Sequence, residues 1–98
     1  MEILFHPDAV EEAAAARLWY EELSPKAVSA FEAELDRSVA SLRESPLRWP
    51  PDAQGVRRQL MKRFPFALVY RLKLDEVQVV AVAHLHRRPG YWRERTKE

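Results

Sequence analysis

The stretch FALVYRLKLDEVQVVAVAH, residues 66–84, decides the architecture. Phe66, Leu68, Tyr70, Leu72 and Leu74 alternate with Ala67, Val69, Arg71 and Lys73. A period of two marks a strand. Val77, Val79, Ala81 and Ala83 then alternate with Gln78, Val80, Val82 and His84, which marks a second one. Asp75-Glu76 reads as the turn between them, so the two strands pair as an antiparallel hairpin. Upstream, Val56 to Arg63 reads as a third strand of mixed polarity. Pro65 falls between it and the hairpin, where a missing N–H is tolerated.

Moving toward the N-terminus, the period changes. Val28, Phe31, Leu35, Val39 and Leu42 repeat every three or four residues, one face of a helix that ends near Ser45-Pro46. Ser24-Pro25 opens it, with Ser24 as N-cap and Pro25 in the first turn. Before it, Ala9, Ala13, Ala16, Tyr20 and Leu23 mark the buried face of an alanine-rich helix, with Asp8 and Glu11 read as its capping box. Glu2 to Phe5 is a short first strand, stopped by His6-Pro7. Pro46, Pro50, Pro51 and Gly55 keep residues 46–55 out of a helix. Trp49 is expected to anchor that loop on an apolar patch. Strands and helices are segregated, which indicates an α+β domain. The expected fold is an N-terminal strand, a helical hairpin, then a three-stranded antiparallel meander in one small twisted sheet, with the helices on one face.

Composition narrows the function. The 98 residues suit a single domain, 1–98, whose residues 87–98 read as a basic C-terminal tail. There is no cysteine, hence no disulfide framework, thiolate metal site or cysteine nucleophile. No run is long enough to span a membrane, and the start lacks the order of a signal peptide. The chain reads as soluble and cytoplasmic. With only Gly55 and Gly90, no glycine-rich phosphate loop exists. His84 and His86 are expected to hold their rings apart, so no metal site and no cofactor are expected. The helix carboxylates Glu11, Glu12, Glu21, Glu22, Glu32, Glu34 and Asp36 are read as a solvated surface.

The net charge of +1 conceals a split: residues 1–55 carry five basic and eleven acidic side chains, residues 56–98 eleven and four. Arg57, Arg58, Lys62, Arg63, Arg71 and Lys73 lie on or near the strands. Arg87, Arg88, Arg93, Arg95 and Lys97 follow, with Tyr91 and Trp92 among them. Cations with interleaved aromatics suit phosphate contact and base stacking. They equally suit a solvated face with no partner, and the residues alone leave both open. Cleavage of RNA on such a surface needs a base for the 2′-hydroxyl, cations for the phosphorane and an acid for the leaving oxygen.

Two stretches resemble the RelE/ParE superfamily: Arg57-Arg58-x-Leu60-x-x-Arg63-Phe64-Pro65-Phe66-x-Leu68-Val69-Tyr70-Arg71, and Val79-Val80-Ala81-Val82-Ala83-His84-x-x-Arg87-Arg88-Pro89-x-Tyr91-Trp92. Ala16-x-x-Trp19-Tyr20-Glu21 in the front half is similar too. The resemblance implies a growth-inhibiting toxin of a bacterial type II toxin–antitoxin system, with a twisted antiparallel sheet and a cognate antitoxin partner. It implies one of two targets. ParE-like members inhibit DNA gyrase, and the long helical hairpin favours them. RelE-like members cut mRNA on the ribosome without metal, in which case Arg71, Arg87, Arg88 and Tyr91 would be catalytic. Arg57, Arg58, Lys62, Arg63, Lys73, Trp92 and Arg93 are then candidates for contact with nucleic acid or target.

Overall fold

Local signals set the element boundaries seen in the computed structural model, which describes residues 1–97. Strand β1 is Glu2–Phe5 and helix α1 Pro7–Leu23. His6 caps α1, its Nδ1 accepting from the Asp8 N–H, with Pro7 at the first helical position. The expected Asp8–Glu11 box is therefore displaced: the proline fixes the helix start one residue ahead of Asp8. Helix α2 is Pro25–Glu44, and Ser24 Oγ accepts from the Ala27 N–H at 3.0 Å, as expected. Strands β2 (Val56–Leu60), β3 (Phe66–Lys73) and β4 (Glu76–His84) complete the order.

The sheet runs β1-β4-β3-β2, with β2, β3 and β4 as the antiparallel meander. β1 joins the far edge parallel to β4, so the sheet is mixed and not wholly antiparallel. A parallel neighbour needs a long crossover, which the helical hairpin and meander supply. Lys73 pairs with Glu76, which puts Leu74-Asp75 and not Asp75-Glu76 at the turn.

One sheet face carries the core. Phe66, Leu68, Tyr70, Val77, Val79 and Val82 meet Ala9, Ala16, Phe31 and Leu42 from the helices. Tyr20, Phe31, Phe64 and Phe66 form a ring cluster with centroids 5.0–5.7 Å apart. Trp49 packs against this core, and Tyr70 Oη donates to the Pro46 carbonyl at 2.7 Å, so the proline-rich loop is pinned from both sides. Leu23 lies outside the core, 63% exposed, because α1 ends there and the chain turns toward Ser24.

The alternation read across β4 breaks at a bulge. Tyr70 faces Val79 while Val69 faces Ala81, so Val80 is the extra residue. A bulge inverts the parity beyond it. Val82 therefore joins the helix face, and Ala81 and Ala83 join Val56, Val69 and Val80 on the other. Trp92, buried, and Tyr91 cover that second face. Residues 87–97 thus fold back over the sheet, ending in a 3₁₀ turn at Arg93–Thr96, and do not trail as a tail.

Candidate functional site: a cationic cleft under the C-terminal segment

A cleft of about 490 Å³ lies between the second sheet face and residues 84–93. Val56, Val69 and Ala83 make its apolar floor, Pro50 and Pro51 one wall, and Trp92 the other. Arg58, Arg87, Arg88 and Arg93 rim it. Arg58 and Arg88 are exposed and make no ion pair among the described residues. Arg87 lies 3.9 Å over the Tyr91 ring. Arg93 stacks on Trp92 at 4.3 Å and donates to Asp52 Oδ2 at 2.7 Å. The planar guanidinium fork matches carboxylate and phosphate oxygens and stacks on aromatic faces, chemistry that lysine lacks.

Two carboxylates build the cleft. Asp52 Oδ1 accepts from the N–H groups of Gln54 and Val56, shaping the turn in which Gly55 takes φ +82°. Burial opposes its charge, but the Arg93 guanidinium and the two N–H groups outweigh that and hold its carboxyl below the usual range. Glu12 of α1 is the second. Arg95 grips it with two bonds of 2.9 Å, the Tyr91 hydroxyl donates to it at 2.7 Å, and the Val82 N–H at 3.0 Å. β1 has ended at the level of Val79, so Glu12 takes the place of a strand partner for β4. Burial raises the Glu12 pKa, yet these donors outweigh it and the net direction is down. Tyr91 is pushed up to about 12, first by burial and then by its bond to Glu12.

Glu12 is thus no part of a solvated surface. Neither is Glu34, 4% exposed, whose carboxylate accepts from the Arg63 N–H at 2.9 Å and Nε at 3.2 Å. Spacing alone puts both on buried helix faces, Glu12 between Ala9 and Ala16 and Glu34 three residues after Phe31, but their partners (Val82 of β4, Arg63 of the β2–β3 connection, Tyr91 and Arg95 of the C-terminal segment) are remote in the chain, and no local pattern shows them.

The cleft brings together Arg58, Arg87, Arg88, Tyr91, Trp92 and Arg93. The remaining candidates lie elsewhere. Arg57 donates to the Leu47 and Trp49 carbonyls. Lys62 and Arg63 face the α2 side, in a second cleft with Glu34 and Trp49. Arg71 donates to Gln78 Oε1 and to the Thr96 carbonyl, each at 2.9 Å. Lys73 pairs across the hairpin with Glu76 in register. The two histidines are not apart: residues two apart on a strand share a face, and the turn after His84 sets the rings 5.0 Å from one another, with the His86 N–H on His84 Nδ1. Among the described residues no group of three His, Cys, Asp or Glu is placed to hold a metal, and no helix is long and apolar enough to cross a membrane.

The comparisons with known proteins agree with this architecture. The family model described as the ParE toxin of the type II toxin–antitoxin system parDE matches residues 3–89. A chain from the structure of the chromosomal ParDE toxin–antitoxin system of P. aeruginosa superposes with a TM-score of 0.75 at 23% identity, covering 88% of this chain and 97% of that one. At that identity the likeness is one of fold. No curated protein matches. With the family model spanning most of the chain over the same helical hairpin and meander, the protein belongs to the ParE toxin family of type II toxin–antitoxin systems.

Proposed function

We propose that this toxin arrests growth by binding DNA gyrase through the cationic cleft, with no chemistry of its own, and that its cognate antitoxin neutralises it in the cytoplasm. One observation carries the choice over mRNA cleavage. The Tyr91 hydroxyl donates to Glu12 with a pKa pushed up to about 12, and so neither gives nor takes a proton readily near neutrality. Arg71, the other sheet candidate, is engaged by Thr96 and Gln78 and lines a different cavity from Arg87 and Arg88. A binding cleft remains, rimmed by Arg58, Arg87 and Arg88 around Trp92.

The test uses folded, antitoxin-free protein in two assays, supercoiling by gyrase and cleavage of mRNA on programmed ribosomes. The expected result is inhibited supercoiling, an intact message, and inhibition lost in the Arg87→Ala/Arg88→Ala variant but kept in Tyr91→Phe. Cuts within the A-site codon that vanish in Tyr91→Phe would overturn the proposal.

A further inference from the structure

The β1 edge of the sheet is open and carries no cation. Glu2 is the only charged side chain of that strand. Half of its backbone is unpaired. The Glu2 N–H goes to the Asp75 carbonyl and the His6 N–H to the Val79 carbonyl. Ile3 lies level with Val77 and Phe5 with Val79, and in a parallel ladder alternate residues bond to the neighbour. Glu2, Leu4 and His6 therefore face β4, while Ile3 and Phe5 turn their N–H groups and carbonyls away from the sheet. No loop or cap backbone bonds to either of them among the described residues.

The side chains alternate in the same way. Ile3 and Phe5 pack against the core, and Leu4 and His6 line a small cavity on the other sheet face, which places Glu2 on that face too. Leu4 is 42% exposed. Glu2 is exposed and makes no ion pair among the described residues. His6 gives its Nδ1 to the Asp8 N–H, which leaves Nε2 for a group outside the chain.

Such a strand is complementary to itself. Laid antiparallel with Leu4 against Leu4, it sets Ile3 opposite Phe5 of the second copy, and these residues exchange both N–H···O bonds. Glu2 then lies opposite His6 of the copy. This pair and the Leu4 pair are of the close, non-hydrogen-bonded kind, with Cα atoms about 4.5 Å apart. A carboxylate thus meets the free imidazole nitrogen. A slip of two residues in either direction puts Glu2 or His6 against Leu4 and loses the charge pair. The β2 edge has no such match: Arg57 and Arg58 would meet the same cations of a copy.

We propose that two copies of the chain associate through β1, antiparallel about Leu4, so that their sheets run on as one. The two-fold axis then stands normal to the sheet, and both cationic clefts open on the same side. One short strand from each copy makes a small interface, so the dimer is weak and depends on concentration. The pairing is independent of the toxin's target.

Sedimentation equilibrium of the full chain up to about 1 mM, the weak end of association, tests this together with amide exchange. The expected result is a reversible dimer in which the Ile3 and Phe5 amides slow by about tenfold or more as concentration rises. Leu4→Lys sets two ammonium groups face to face on the axis and weakens the dimer by about tenfold or more. Glu2→Gln removes the charge pair from an exposed position and weakens it severalfold. Leu18→Lys, at a site on α1 that is 52% exposed, leaves it unchanged. Circular dichroism checks that the variants fold. A folded chain that stays monomeric to about 1 mM overturns the proposal. So does a dimer in which both amides stay unprotected. Loss of the dimer in Leu18→Lys, with Leu4→Lys unaffected, assigns the contact to α1 and overturns the strand pairing.

Discussion

Removing the Glu12 carboxylate tests the central tie of the structure. Glu12 and Arg95 are 16% and 15% exposed at their side chains, so water screens the pair little. Breaking a buried ion pair from one side costs about 3–5 kcal/mol, because the other partner stays buried and unpaired. Here Glu12→Ala strands the Arg95 guanidinium, the Tyr91 hydroxyl and the Val82 N–H together. Residual exposure and a second contact from Arg95 to Asp8 at 3.5 Å soften the loss, which places it near 3 kcal/mol. Glu12→Gln keeps acceptors for Tyr91 and Val82 but loses the charge, and costs about 2 kcal/mol. Against a total stability of about 5–15 kcal/mol for a domain of this size, the first change is large. It lowers Tm by roughly 12–24 °C at about 4–8 °C per kcal/mol. Urea unfolding followed by circular dichroism measures it, and amide exchange at Val82 and over residues 91–96 localises it. A Glu12→Ala protein within 0.5 kcal/mol of wild type, about the scatter of neutral surface changes, would refute the assignment of Glu12 as the tie.

Acid sensitivity follows from the same groups. Glu12, Glu34 and Asp52 all have folded pKa values below their ordinary ones, so their stabilisation is full above about pH 4.5 and is lost as pH falls through the folded values. Urea midpoints that stay flat from pH 6 to pH 3 would contradict this, and Glu12→Gln is expected to reduce the slope. Tyr91 shifts the opposite way: its hydroxyl ionises near pH 12, so phenolate absorbance in wild type minus Tyr91→Phe rises there and not near 10. Glu34→Ala leaves the part-buried Arg63 N–H without its acceptor and costs about 1–2 kcal/mol by urea unfolding. Leu74, 94% exposed, takes φ +53° at the hairpin turn, where a side chain costs about 1–2 kcal/mol. Leu74→Gly, after the entropy glycine loses on folding, is expected to raise stability by up to about 1 kcal/mol in the same assay.

Element order, both helices and the hairpin were legible because each depends on near neighbours. Pro25 and Pro46 bracket α2, Ser24 caps it, and the Phe31–Leu42 stripe repeats at a helical period. The period of two across residues 66–79 likewise needs no distant contact to be read. Asp8 misled because any short polar residue before an apolar run resembles a cap, and only the His6 ring in place showed which group accepts. The bulge at Val80 left no mark in a run of Val and Ala that is apolar on both faces.

For the candidate site, the sequence by itself determined that cations and aromatics crowd the C-terminal half, and that neither a cysteine nor a glycine-rich loop is available for chemistry. Only the tertiary structure decided which of those cations are committed. Glu12 meets Val82, Tyr91 and Arg95 across 70, 79 and 83 positions of chain, and Arg93 meets Asp52 across 41. Such pairings depend on how the 87–97 segment docks on the second sheet face. That docking is driven by the burial of Trp92 and directed by the register of β4, and no local pattern encodes either. The cleft, its rim of Arg58, Arg87 and Arg88, and the withdrawal of Tyr91 toward Glu12 are consequences of that one long-range contact.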